Sequence, residues 1–277
     1  MTGQIDFATY LGIDAVNWST LKDLRRSPLH YKHRISSTKK ETTGMRKGRV
    51  GHTAVFEPDR LALDYAVFTD VNKAGKVVRS GNVYKDFCKA NKGRTILTPT
   101  EYSHACALRD AVRSHPLAAP YLERGEAEKC LEWADDETGL KCKARLDFLS
   151  SGKPALVDLK STSDIAYSVF CARAYKMGYH CQLGFYDWGL ITALKLNVPV
   201  VVIAVEQLPP YDVGVFEYEA ACIDSGRDEA RSLLTKLAYF REQNVWPGQY
   251  AEEMALEFPG WVDASENDDT SDLGLEE

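Results

Sequence analysis

The sequence predicts an α/β domain built on a mixed central β-sheet flanked by helices, and three observations carry the prediction. Residues 141–149 alternate as a half-buried strand does, Ser151-Gly152-Lys153-Pro154 reverses the chain, and residues 155–160 resume the strand. A helical stretch then separates this hairpin from two further strands, so the chain crosses over before it rejoins the sheet. With 44% hydrophobic and 10% aromatic residues among 277, a substantial core can form.

Taken in order, Asn17 or Ser19 caps a short helix carrying Leu21 and Leu24, which Pro28 ends or interrupts. Lys39-Lys40-Glu41-Thr42-Thr43-Gly44 reads as a polar loop, and residues 45–56 as a helix closed by Pro58. Residues 60–83 look like short strands and turns, with a reversal at Ala74-Gly75-Lys76. Helices are expected over 84–93 and 99–115, the second opened by Thr98-Pro99-Thr100-Glu101 and stopped by Ser114-His115-Pro116. A strand over 126–134 leads through a turn at 135–139 into the hairpin. Ser163 then caps a helix to about Lys176, and Gly178 breaks it from another that runs to about Leu196. Strands over 198–206 and 213–218 flank the turn Pro209-Pro210-Tyr211-Asp212. Residues 225–243 form a final helix with Leu233, Leu234, Leu237 and Phe240 inward.

One domain over residues 1–262 is expected, with a basic helical region at 15–58 and a core at about 120–245. Residues 263–277 form an acidic tail, expected to be disordered. That tail holds seven acidic and no basic side chains, so the net charge of −6 becomes +1 without it. Residues 20–52 carry ten Lys or Arg against Asp23 and Glu41, a local +8 that reads either as a phosphate-binding surface or as a solvated basic face. Residues 1–4 start no signal segment, and the apolar run at 198–205 is too short to span a bilayer, which predicts a soluble, cytoplasmic protein. Seven cysteines without a Cys-x-x-Cys pair predict reduced thiols over a disulfide framework or a zinc site.

The chemistry sits on the hairpin. Side chains two apart on a strand share a face, so Asp158 and Lys160 point together and Asp147 reaches them from the adjoining arm. Alone, Asp-x-Lys is commonly solvated surface. Here Leu156, Val157 and Leu159 predict a buried strand, and a buried carboxylate needs a partner or a metal. Two carboxylates and an ammonium suit metal-assisted attack of water on a phosphodiester. A lone helical histidine such as His52, or a Gln182/Tyr186 pair, is by itself more often structural.

Their order is distinctive. Gly48-x-x-x-His52, Asp147, Asp158-x-Lys160 and Gln182-x-x-x-Tyr186 together resemble the RecB-like branch of the PD-(D/E)xK nuclease superfamily, which has a restriction-endonuclease-like core. Glu132-Trp133-x-Asp135-x-x-Thr138-Gly139-Leu140, Val157-Asp158-Leu159-Lys160-Ser161-Thr162 and Gly178-Tyr179-His180-x-Gln182 are similar to the RecE-like exonucleases within it, as is Leu21-x-x-Leu24-x-x-Ser27-Pro28-Leu29-His30-Tyr31. The resemblance implies an ATP-independent exonuclease that degrades the 5′-ended strand of linear duplex DNA. It implies two Mg²⁺ ions per site, replaceable by Mn²⁺, with His52, Asp147, Asp158 and the Leu159 carbonyl as ligands and Glu132 toward the second ion or its waters. Lys160 would be catalytic, and Gln182 and Tyr186 would position the scissile strand. Arg25, Arg26, Lys47, Arg49 and Arg145 are the expected DNA contacts. The resemblance further implies a ring-shaped homo-oligomer, a tetramer by the RecE pattern, a single-strand-annealing partner, and a phage or prophage origin in a bacterial host. The acidic tail would contact that partner or, as we prefer, solubilise the protein and repel stray DNA.

Three rival readings stand beside it. Iron–sulfur nucleases of the superfamily need three cysteines downstream, whereas only Cys222 lies beyond Gln182, so no cluster is expected. A non-catalytic DNA-binding module would have no use for two carboxylates facing a phosphate. A sequence-specific endonuclease would need a base-reading element, for which residues 60–115 are the available room.

Overall fold

A computed structural model describes residues 5–37, 42–72, 77–250 and 252–258. Local chemistry sets most helix starts. Asp6 caps α1 (Phe7–Gly12), Asn17 caps α2 (Trp18–Leu21), and a 3₁₀ turn follows at Lys22–Arg25. Ser27 caps α3 (Pro28–Ser36), so Pro28 opens a helix as well as closing the segment before it. Thr42 caps α4 (Thr43–Phe56), which places Thr43 and Gly44 in the helix rather than in the expected loop. Lys39, Lys40, Glu41 and the Ala74-Gly75-Lys76 reversal lie outside the described residues, as does the acidic tail.

The reading of residues 60–83 as strands and turns is corrected at its start. Pro58 begins α5 (Pro58–Asp64) with its locked φ and dispensable N–H at the first turn, and only then comes β1 (Tyr65–Val67). After α6 (Gly81–Ala90), β2 (Thr95–Leu97) pairs parallel to β1 in a small separate sheet. A full capping box between Thr98 and Glu101 starts α7 (Pro99–Ser114), as the sequence indicated, and α8 (Ala119–Leu122) follows.

The main sheet contains β3 (Gly125–Ala134), β4 (Lys141–Ser150), β5 (Ala155–Thr162), β6 (Val200–Glu206) and β7 (Val213–Glu217), in that spatial order. Only β5 and β6 run parallel, and the crossover between them carries α9 (Tyr167–Met177) and α10 (Tyr179–Leu194). Ser163 does not cap α9: Asp164 accepts from the Ala166 amide at 2.7 Å and the helix starts beyond it. Gly178, at φ +68°, makes the left-handed break between the two helices. The final helix, α11 (Ala220–Gln243), begins ahead of the expected Ser225. No helix among the described residues is long and apolar enough to cross a membrane.

Helices cover both faces. Leu183 and Phe185 of α10 with Leu234 and Leu237 of α11 bury Leu131, Leu156 and Val202, while Leu108 and Val112 of α7 with Tyr121 bury Val157, Ile203 and Val205. Each such side chain contributes about 1.5–3 kcal/mol when removed from water. The alternation breaks once, in the β3–β4 ribbon. Ala127 and Phe148 pack with the α7 side, whereas Leu131 and Leu146 pack with the α10 side, although each pair of positions has one parity. The switch falls at Glu128, a non-glycine residue at φ +54°, opposite Asp147. The ribbon is thus wrung at the point where β4 leaves β5.

Candidate active site

The site is the opening where β4 leaves β5. Their ladder ends at Phe148↔Val157, so Asp147 and Asp158 come next on two diverging strands. β4 runs on with β3, and its freed edge takes a bridge from Val16. Into the gap between β4 and β5 Asp147 turns its carboxylate, whose Oδ2 accepts from the Leu159 amide at 3.1 Å and lies 3.2 Å from His52 Nδ1. His52 comes from the α4 turn that follows Gly48 and Gly51.

Asp158 and Lys160 share the α10 side of β5, as the two-residue period requires. Lys160 Nζ is 2.7 Å from Asp158 Oδ2 and donates to Gln182 Oε1 at 3.4 Å, and Gln182 Nε2 donates to the Tyr186 hydroxyl at 3.2 Å. The ammonium also lies over the Tyr179 ring, 4.9 Å from its centroid. Lys160, Gln182 and Tyr186 therefore form one relay from strand to helix. Apart from that ammonium, neither oxygen of the 1%-exposed Asp158 has a hydrogen-bond donor. A buried carboxylate so placed is costly unless a cation joins it.

The two aspartates are pushed apart electrostatically. Burial raises the Asp158 carboxyl, and the neighbouring Asp147 adds to the rise against the pull of Lys160. Burial would raise Asp147 as well, but His52, Lys160 and the Leu159 amide overcome it and hold that group low. His52 and Lys160 are raised in turn, burial being outweighed by the carboxylates. At neutral pH Lys160 is an ammonium beside an acid that titrates unusually high.

Of the sequence-predicted residues, the structure brings together His52, Asp147, Asp158, Leu159, Lys160, Gln182 and Tyr186. It does not bring Glu132. That residue faces Lys143 across the β3–β4 register, four positions and about 13 Å along the strand from the one opposite Asp147. The acid at that nearer place is Glu128, which sequence reading missed. Burial drives its carboxyl up to about 7, with Arg145 opposing and Asp147 reinforcing the rise. Arg145, expected to touch DNA, pairs with Glu128 at 2.6 Å and stacks its guanidinium on Phe7. Arg25 is held by Glu229 at 2.7 Å, whereas Arg26, Lys47 and Arg49 are exposed.

A cleft of about 460 Å³ runs from His52 and Leu159 between α4 and α7. Lys47 lines it, and Gly44, Gly48 and Gly51 present a helix face free of side chains. The donors fit a hard or borderline divalent cation: two carboxylates, one of them short of partners, the backbone carbonyl of Leu159 next to Asp158 in sequence, and an imidazole. His52 meets Asp147 through Nδ1, which leaves Nε2 for such an ion.

Comparison with known proteins agrees with this geometry at the level of fold. A provisionally assigned exonuclease from Eubacterium rectale is 12% identical, with a TM-score of 0.63 over 97% of this chain and 99% of that one. A phage-related exonuclease from Haemophilus somnus 129PT is 13% identical, with a TM-score of 0.34 over 86% of this chain and 100% of that one. An alkaline exonuclease from Laribacter hongkongensis is 12% identical, with a TM-score of 0.30 over 68% and 97%. Identities this low speak to fold alone, and the last two similarities carry no argument. No curated protein matches the chain in sequence. A family model does, over residues 17–257, and with that span the chain belongs to the family described as the PDDEXK-like domain of unknown function DUF3799.

Proposed function

We propose that this protein is a divalent-metal-dependent, ATP-independent exonuclease that digests the 5′-ended strand of linear double-stranded DNA and leaves a 3′ single-stranded overhang. The observation that carries the reading is the gap between β4 and β5, where Asp147, Asp158, Lys160 and His52 converge and Asp158 keeps both oxygens free of donors other than Lys160. His52, Asp147, Asp158 and the Leu159 carbonyl would hold Mg²⁺ or Mn²⁺, with Glu128 in the place first given to Glu132 beside a second ion. Such an ion lowers the pKa of water and neutralises charge that develops on the phosphate.

The protein's own groups do the rest. Lys160, held charged and aimed by Asp158 and Gln182, donates to a phosphate oxygen as negative charge grows there. Gln182 and Tyr186 fix the ammonium and line the path of the scissile strand. The glycine face of α4 lets a strand approach closely, and Lys47 supplies charge at the cleft wall. Arg26 and Arg49 extend that basic surface outward, and residues 1–262 form the catalytic unit. A toroidal homo-oligomer, a tetramer, would enclose the duplex and give processivity without ATP. The product overhang would pass to a single-strand-annealing protein, in the cytoplasm of a bacterial host carrying the gene on a phage or prophage.

The test is digestion of linear duplex DNA labelled separately at its 5′ and 3′ ends, beside a covalently closed circle, with Mg²⁺ and without ATP. Early release of 5′ label, with the 3′-labelled strand and the circle intact, is expected, and Asp158→Ala should abolish it. Cutting of the circle would replace this reading with an endonuclease. No metal-dependent cleavage of either substrate would replace it with a DNA-binding module.

A further inference from the structure

On the far side of Gln182 from the gap, α10 and α11 bring three ligand-type side chains together. His180, Cys181 and Glu229 place a ring nitrogen, a sulfur and a carboxylate oxygen within 4.8 Å of one another. Cys181 Sγ is 3.1 Å from His180 Nε2 and 3.1 Å from Glu229 Oε2. We propose that this trio binds a borderline-soft divalent transition-metal ion, best matched by Zn²⁺, at a site separate from the hairpin.

The donor set favours such an ion over Mg²⁺, because a thiolate and an imidazole suit zinc while a hard cation takes oxygen. Ligand atoms around tetrahedral zinc stand roughly 3.3–3.8 Å apart, so small side-chain rotations convert the present spacing to coordination. On binding, the Cys181 thiol loses its proton to water and a sulfur–zinc bond replaces the thiol's hydrogen bond to Glu229. Glu229 Oε2 becomes a ligand while Oε1 keeps its 2.7 Å pair with Arg25. His180 binds through Nε2. Cys181 is fully buried, whereas His180 and Glu229 are partly exposed, so water reaches the fourth position.

The frame that holds the trio is stiff. A Cβ at Gly226 of α11 would strike the His180 carbonyl, and one at Gly184 of α10 would strike the backbone at Gly226 and Arg227, so the two helices meet in close backbone contact beside the trio. The His180 ring is stacked on Tyr175 at 5.5 Å between centroids. A metal here pins the first turn of α10 to α11, one residue before Gln182. The absence of a Cys-x-x-Cys pair hid the site from spacing arguments, since two ligands are adjacent and the third is 48 residues away. Without metal, burial and Glu229 push the Cys181 thiol up to about 12, which leaves it an inert thiol rather than a redox-reactive one.

The inference does not rest on nuclease activity, and its test reads none. The reduced full-length protein is titrated with Co²⁺, followed by near-ultraviolet thiolate-to-cobalt charge transfer and visible ligand-field bands. One equivalent should give both, Zn²⁺ should displace it, and Cys181→Ser should lack the charge-transfer band. Asp158→Asn should keep it, because the hairpin site offers no sulfur. Glu229→Gln, which leaves the buried thiol in place, should weaken Co²⁺ at least tenfold, as should His180→Asn. A missing band, a band that survives Cys181→Ser, or unchanged affinity in Glu229→Gln would overturn the assignment.

Discussion

The β3–β4 ribbon presents two charged pairs on one face, and they are built to opposite rules. At one end Glu128 and Asp147 fall at the one step the ladder skips, each held by a basic side chain, Arg145 and His52, with Glu128 at φ +54° and its carboxyl driven upward by burial. At the other, Glu132 stands opposite Lys143, whose Nζ donates to the Tyr10 and Ile13 carbonyls at 2.8 and 2.7 Å. Lys143 is 2% exposed and charge-compensated, and it caps the carbonyl end of α1. Like charges facing each other destabilise a ladder, and a left-handed non-glycine residue costs about 1–3 kcal/mol. The difference teaches where function is held: the satisfied end fastens the amino-terminal segment, and the strained end lies where the metal site is proposed.

The largest expected effect comes from Asp158, the β5 acid that faces Asp147 of the strained end. Asp158→Ala should lower cleavage by roughly 10³-fold or more, since it removes a proposed metal ligand and the carboxylate that aims Lys160. DNA binding should be kept or strengthened, measured by gel shift in Ca²⁺. Cleavage within tenfold of the parent would show that Asp158 is only structural.

Lys143→Met attacks the satisfied end and should cost stability rather than chemistry. Three carbonyls lose their donor and Glu132 its partner, so the loss is about 3 kcal/mol, read from urea unfolding. Turnover per folded molecule should hold within a factor of two. A stable but inactive variant would mean that the two ends are coupled.

Glu128→Gln sharpens the contrast. It keeps shape and removes charge from beside Asp147, and cleavage or Mg²⁺ affinity should fall by about 10–100-fold, measured by turnover and by calorimetry with Asp147 and Asp158 intact. An unchanged Mg²⁺ isotherm together with unchanged turnover would return Glu128 to a purely structural partner of Arg145.

The pH dependence follows from the same residue. Its folded value of about 7 lies above the ordinary 4.5, so the metal-free fold holds the proton more tightly than the unfolded chain does. Stability is then fully present below 4.5 and declines as pH rises through 7. Asp158 is raised too and acts in the same sense, whereas the depressed Asp147 contributes stability that is lost only on acidification. Mg²⁺ should offset the decline, so the stabilisation it gives, read from the shift in melting temperature, should be larger at pH 8 than at pH 5 by on the order of 1–2 kcal/mol. In Glu128→Gln most of that difference should vanish.

Much of this was legible in the sequence because the signals were local. The hairpin period, the Thr98–Glu101 box and the Gly178 break need only neighbours to operate, and each appears where it was expected. Asp158-x-Lys160 shares a face because a strand allows nothing else. What failed needed three dimensions. Glu128 and Glu132 have the same parity, and no local pattern shows which of them lies beside the gap, since that is set by where β4 leaves β5. Arg25 and Arg145, read as DNA contacts, are paired with Glu229 and Glu128, partners too distant in sequence for a local reading to find. Residues 60–64 were misread because the Pro58 that closes one helix also opens the next.

The smallest expected effect discriminates best. Glu132→Gln removes a charge from the face that the motif pattern assigned to metal, yet it leaves the Lys143 ammonium bonded to the Tyr10 and Ile13 carbonyls. Lys143 loses one favourable charge, and burial, which already lowers its pKa, then acts with less opposition. The cost should be about 0.5–1 kcal/mol in urea unfolding, because the ammonium keeps its hydrogen bonds. Cleavage and the Mg²⁺ isotherm should stay within twofold of the parent, against about 10–100-fold for Glu128→Gln. If Glu132→Gln instead weakened Mg²⁺ as much as Glu128→Gln did, the ions would have to reach about 13 Å along the ribbon, and the division between its two ends would be lost.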